Sequence, residues 1–208
     1  MVSGSQEGTV RRPRLVIIDI DGTLINNPIN WGELRERVKD VLGFPPPSKP
    51  LAYFIVELRE KDNFAAWEVE KVVRQAEMDS IKTLSPDVAL LDSIKALRNS
   101  GVRIALVTLR GKDSAISLLR KIRIIDYIDL LLTRDDVPSR HKQLFQCLQE
   151  FQVKPDEALF IGDTEGDEEA AKELGIPSVI LPQSQGLSGV RKEVISVLQE
   201  VLRTGFTT

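Results

Sequence analysis

Residues 15–24 read Leu-Val-Ile-Ile-Asp-Ile-Asp-Gly-Thr-Leu, and this stretch constrains the chain more than any other. Four consecutive aliphatic residues, three of them β-branched, run straight into an acidic turn. That pattern describes a strand buried on both faces that ends at a reactive edge. Asp19 and Asp21 alternate with Ile20, so an extended backbone points both carboxylates the same way, and Gly22 permits a sharp exit beyond them. Two acids confined to one small volume resist simultaneous ionisation unless a cation neutralises them, and oxygen ligands of this kind suit Mg²⁺. A strand followed by an acidic turn with no further role is the plain alternative, so the rest of the chain must decide.

The remaining pattern repeats the strand-and-turn theme. Apolar runs at Val102 to Thr108, Leu130 to Leu132, Ala158 to Ile161 and Ser178 to Leu181 read as four more short strands. Between them lie helical stretches. Ser85-Pro86 opens one with Val88, Leu91, Ile94 and Leu97 as its stripe and Gly101 as its stop; Gly111 to Ile122 is another. Ser139 caps a third that runs to Phe151, a fourth ends at Leu174 before Gly175, and the last spans about Val190 to Leu202. Alternation of this kind predicts an α/β fold, an open Rossmann-like parallel sheet covered on both sides, with ligands at the carboxyl ends of the strands. Asp19, Asp21, Thr108, Asp163 and Asp167 all fall at those ends.

The segment between the first two strands is different. Asn26, Asn27 and Pro28 break the strand pattern, and a helix from about Trp31 to Leu42 carries Leu34, Val38, Val41 and Leu42 on one side. Pro45, Pro46, Pro47 and Pro50 then forbid regular structure. Two further helices follow, one with Leu51, Phe54, Ile55 and Leu58 as its stripe, the other with Ala65, Val69, Val72, Val73 and Ala76. The chain thus divides into a flexible tail at 1–13, an α/β core at 14–25 and 85–208, and a helical insertion at 26–84. Trp31, Phe44, Tyr53, Phe54, Phe64 and Trp67 lie in the insertion; most should pack its helices, and Trp31, near the hinge, is the candidate for substrate contact.

Composition closes off several function classes. The net charge of −3 offers no basic face for nucleic acid, and no long apolar run exists that would span a membrane or serve as a signal peptide. A cytoplasmic protein acting on a small ligand is the expectation. Cys147 is the only cysteine and lies in a helix, where packing is its expected role. It does not suit a cysteine phosphatase, because Val153 stands where a phosphate-binding Arg is needed. His141, the single histidine, excludes mechanisms that need two imidazoles and reads as a surface residue at a helix start.

In this order and spacing, Asp19-Ile20-Asp21-Gly22-Thr23, Thr108, Lys142 and Gly162-Asp163 with Asp167 resemble the four motifs of the haloacid dehalogenase-like hydrolase superfamily. The resemblance spans about Leu15 to Leu181 and implies a five-stranded sheet in the order 5-4-1-2-3. It also implies roles. Asp19 is the nucleophile that forms an aspartyl-phosphate, Asp21 the acid and base, and Thr108 and Lys142 the groups that bind phosphate. Mg²⁺ is held by Asp19, the Asp21 carbonyl and Asp163, with Asp167 bound directly or through water. For its part Asp21 must carry a proton near neutrality, which clustering with other carboxylates favours. Arg140 stands close enough to Lys142 to replace it, and Arg110 reads as a surface residue.

The insertion corresponds to a cap that closes over the site, and the 33 residues between Thr108 and Lys142 leave no room for a second one. The expected activity is hydrolysis of a small phosphorylated metabolite. A phosphomutase of the same fold and a non-catalytic phosphate- or partner-binding module are the alternatives. A dehalogenase is disfavoured, since a departing halide needs no acid. The sequence is silent on the oligomeric state.

Overall fold

The computed structural model describes residues 10–26, 29–183 and 189–207. Its centre is a sheet of five parallel strands, β1 (Leu15–Asp19), β2 (Arg103–Val107), β3 (Leu130–Leu132), β4 (Ala158–Gly162) and β5 (Ser178–Ile180). They lie in the order β3-β2-β1-β4-β5, the expected order read from the other edge. Eight helices accompany them among the described residues: α1 (Trp31–Leu42), α2 (Leu51–Lys61), α3 (Asn63–Ile81), α4 (Val88–Asn99), α5 (Lys112–Lys121), α6 (Arg140–Phe151), α7 (Glu165–Leu174) and α8 (Lys192–Thr204).

Every residue of β1 is buried, as its aliphatic run demands. The twofold period of a strand sends alternate side chains to opposite faces. Val16, Ile18 and Ile20 join the core made with α4, α5 and α8, whereas Leu15 and Ile17 join the one made with α6 and α7. Burying each such side chain contributes about 1.5–3 kcal/mol. The same alternation sets the chemistry, because Asp19 continues the face of Leu15 and Ile17 and so meets α6 and α7.

Capping residues fix where the helices begin. Asn30 accepts from Glu33 N at α1, Asp62 from Ala65 N at α3, and Ser139 caps α6. Helix α4 starts later than Ser85-Pro86 suggests: Asp87 accepts from Leu90 N at 3.0 Å, and a carboxylate at the cap position takes precedence over an upstream proline.

Helices α1 to α3 enclose a core of their own, built on Leu34, Val38, Ile55, Val69 and Val73. The aromatic residues mostly do not share it. Phe54 is buried, but Trp31, Phe44, Phe64 and Trp67 are all exposed, and Val41 faces outward as well. Phe64 and Trp67 instead lie against each other at 6.1 Å, with the Lys71 ammonium over the Trp67 ring. Aliphatic side chains suffice to fill the space between three short helices.

The expected tail at 1–13 falls mostly outside the described residues, as do Asn27 and Pro28. Where the chain is described, Val10–Arg11 pairs antiparallel with Phe206–Thr207 and Pro13 is buried, so this part joins the two ends rather than hanging free. Ile25–Asn26 pairs likewise with Gly189–Val190. Among the described residues, no helix is long and apolar enough to cross a membrane.

Candidate active site at the carboxyl edge of the sheet

Asp19 ends β1 and is 3% exposed. Beyond it the chain turns back on itself: Leu24 N donates to Asp19 O and Ile25 N to Ile20 O, which brings Gly22 to a φ of +91°. A side chain is unwelcome there twice over, since a Cβ on Gly22 would lie 2.2 Å from Asp163 Oδ2. The glycine therefore lets the first loop approach the loop after β4. Gly162 serves the same end, for a Cβ there would meet the Asp167 side chain at 2.8 Å. Arg191, fully enclosed, clamps the turn by donating to the carbonyls of Gly22 and Pro182.

Three of the acids meet as a result. Carboxylate oxygens of Asp19, Asp163 and Asp167 lie within 4.8 Å of one another, and Asp19 and Asp167 are buried. Burial pushes the Asp19 carboxyl well above the usual carboxylate range, with Arg140 opposing the rise and Asp167 and Asp163 adding to it. Burial, with help from Asp167, likewise pushes Asp163 up to about 6. Each carboxylate is held differently. Asp163 Oδ1 accepts from Thr23 Oγ1 at 3.2 Å, while Asp167 Oδ2 accepts from Thr164 Oγ1 at 2.7 Å as part of the cap of α7. A hard divalent cation fits this donor set, because it offsets both the burial and the mutual repulsion that raise the Asp19 and Asp163 carboxyls.

The structure brings Arg140, and not Lys142, to these acids. Its Nε donates to Asp167 Oδ1 at 2.6 Å and its Nη2 to Asp19 Oδ1. Lys142 is exposed on α6, and its contact here is a backbone one, its N–H donating to the Ser139 cap. The reason is helical geometry: residues two apart on a helix point in different directions, so only one of the pair can face β1. The resulting ion pairs hold the Arg140 guanidinium charged. Gln143, one turn on, accepts from Arg140 Nη1 at 3.0 Å and donates to the Thr108 carbonyl at 2.8 Å, tying α6 to the end of β2.

Asp21 lines the same cavity but is not one of the three clustered acids. Arg110 grips its carboxylate side-on, Nε to Oδ2 at 3.0 Å and Nη2 to Oδ1 at 2.5 Å. Far from being a surface residue, Arg110 has a side chain with no exposure. Its Nη1 donates to the Glu77 carbonyl and to Ser80 Oγ on α3, so one guanidinium joins Asp21 to the helical layer. Thr108 is fully buried beside them, 3.4 Å from Asp21 Oδ2, with Oγ1 accepting from Arg110 N. Sequence reasoning missed Arg110 and Gln143. A polar side chain two residues past a strand-end threonine, and another one turn past Arg140, were the available signals.

The cavity above these groups has a volume of about 850 Å³. Its floor is acidic and its roof comes from the helical layer, through Ile29, Trp31, Leu51, Tyr53 and Val73. Trp31 thus does line it. Tyr53 also touches the floor, its hydroxyl accepting from Arg140 N at 3.4 Å. Cys147 takes no part: it lies on the buried side of α6, and burial pushes its thiol up to about 12.

Comparison with known proteins agrees with this fold. The chain is 26% identical over 201 residues to a phosphoglycolate phosphatase of Thiobacillus denitrificans, an alignment covering 81% of this chain and 83% of that one. In fold it is similar to a haloacid dehalogenase-like family hydrolase of Streptococcus pneumoniae, with a TM-score of 0.61, 19% identity, and 90% and 91% of the two chains covered. It is also similar to CbbY of Rhodobacter sphaeroides, solved in complex with phosphate, with a TM-score of 0.57, 19% identity, and 82% and 86% covered. The sequence profile of the haloacid dehalogenase-like hydrolases matches residues 16–181, four-fifths of the chain, and the chain belongs to that family.

Proposed function

We propose that this chain is a Mg²⁺-dependent phosphatase that hydrolyses a small phosphomonoester through an aspartyl-phosphate on Asp19. The observation that carries the reading is the meeting of Asp19, Asp163 and Asp167 oxygens within 4.8 Å at a sheet edge that also bears Thr108. The phosphatase name of the curated relative supports the reaction class.

Mg²⁺ would be held by Asp19, Asp163 and the Asp21 carbonyl, and when bound it supplies the charge that lets a dianionic phosphate approach several acids. Asp167 has one oxygen on Arg140 and the other on Thr164, so it suits a role behind the ion, orienting its neighbours. Asp19 attacks phosphorus in line, the ester oxygen leaves, and Asp21 delivers a proton to it; Asp21 then takes a proton from the water that splits the acyl phosphate. Thr108 and Arg140 stabilise the oxygens of the transferring group. Asp21 can exchange protons only as its grip by Arg110 loosens, and Arg110 is tied to α3. Movement of α1 to α3 as a cap therefore times the proton transfer as well as excluding water.

Purified protein should release phosphate from p-nitrophenyl phosphate and from at least one short phosphorylated metabolite, and excess EDTA should remove the activity until Mg²⁺ is restored. Absence of turnover across a metabolite panel with Mg²⁺ present would contradict the reading. Transfer of the phosphate to another hydroxyl of the substrate, instead of release, would point to a mutase.

A further inference from the structure

Gln143 is fully buried on α6, behind the cavity wall rather than in it. Its amide is nonetheless committed to the site. Oε1 accepts from Arg140 Nη1 at 3.0 Å, and Nε2 donates to the carbonyls of Thr108 at 2.8 Å and Val137 at 2.9 Å. A guanidinium only donates and a carbonyl only accepts, so the amide fits one way round. The three partners lie on α6, just past the end of β2 and on the loop that leads into α6.

Arg140 and Thr108 are the two groups assigned above to the oxygens of the transferring phosphoryl. Arg140 rests on Asp167 through Nε at 2.6 Å and on Asp19 through Nη2, both along one edge of its guanidinium. Two bonds along one edge leave the group free to roll about it. The bond from Nη1 to Gln143 removes that freedom, and the guanidinium carbon lies over the Phe160 ring of β4 at 5.9 Å. The plane matters because all five N–H bonds of an arginine lie in it, and a phosphoryl oxygen meets them well only there. The same amide holds the Thr108 carbonyl, so a single side chain sets the spacing between the two groups across the gap from α6 to β2.

We propose that Gln143 is a positioning residue for phosphoryl transfer: it locks the plane of Arg140 and the end of β2 in one register, so that both converge on the same phosphoryl oxygens. This role rests on the phosphatase reading above and adds a residue that acts only through its neighbours. As Asp19 attacks, its charge passes into the transferring group, and the pull of Arg140 passes with it from the carboxylate to the phosphoryl oxygens. A tilted guanidinium therefore weakens the transition state more than the bound substrate, and the loss falls on kcat.

The test measures steady-state turnover of p-nitrophenyl phosphate with Mg²⁺ by the full chain and by Gln143→Met, in the parent and in an Arg140→Lys background. Lysine keeps a charge for Asp19 and Asp167 but has no Nη1 for Gln143 to hold. In the parent background Gln143→Met should lower kcat about ten- to hundredfold and change KM by less than about threefold. In the Arg140→Lys background the same change should cost less than about threefold in kcat. Gln143→Asn, whose amide is one methylene too short to bridge Arg140 and Thr108, should repeat the pattern if the methionine variant melts below the assay temperature. An equal loss in both backgrounds, a loss carried by KM, or a lowered melting temperature with kcat unchanged each overturns the positioning role and leaves the phosphatase reading intact. No turnover by the parent overturns both.

Discussion

Asp19→Asn is expected to lower phosphate release by about 10⁴-fold or more, because an amide cannot form the acyl phosphate on which both steps depend. The fold should survive. An amide oxygen still accepts from Arg140, and the substitution removes a buried charge whose carboxyl burial has already pushed up. Far-UV circular dichroism and a melting temperature within a few degrees of the parent, beside lost turnover, are the expected pair of results. Residual activity within about tenfold of the parent would show that another group attacks phosphorus.

Arg140→Met should have the largest effect on stability. The change leaves Asp19 and Asp167 buried without their cation, and breaking a buried pair from one side costs about 3–5 kcal/mol. For a chain of this size that corresponds to a fall in Tm on the order of 10 °C, and Mg²⁺ should restore part of it by supplying charge to the same carboxylates. Lys142→Met, on the exposed face of α6, should change stability by no more than about 0.5 kcal/mol and leave turnover near the parent value. Equal losses in the two variants would reverse the assignment made from the geometry.

The contrast between these two residues shows what was legible in the sequence. The β1 run and the strand-end positions of Thr108 and Asp163 follow from local pattern, since a strand's period is two and a doubly covered parallel sheet puts its ligands at one edge, whereas the sheet order follows from the family resemblance alone. Which of Arg140 and Lys142 turns inward depends on the phase of α6 about its axis. That phase is set by Leu144, Cys147 and Leu148 packing under the sheet, and it cannot be read from the two basic residues themselves. Arg110 was illegible for a related reason. Its surroundings come from Asp21, Glu77 and Ser80, which lie 30 to 89 residues away in sequence, and only the seating of α3 on the core makes them neighbours. The exposure of Phe64 and Trp67 likewise records a choice among several possible fillers of a small core, which composition leaves open.

Cation binding by the three acids can be measured without any substrate. Burial holds the Asp19 carboxyl well above its unfolded value and brings that of Asp163 to about 6, so in the metal-free protein the Asp163 contribution to stability falls as pH rises through the window from about 4 to 6. Above that window the ionised Asp163 carboxylate is left with repulsion for a cation to offset; below it, a proton competes for the same oxygens. The deciding measurement is therefore the Mg²⁺-induced shift in Tm at pH 7.5 and at pH 5.0, for the parent and for Asp163→Asn. The account predicts a rise of several degrees for the parent at pH 7.5, a smaller one at pH 5.0 and little in the variant. No shift at pH 7.5, or the same shift in Asp163→Asn, would contradict it.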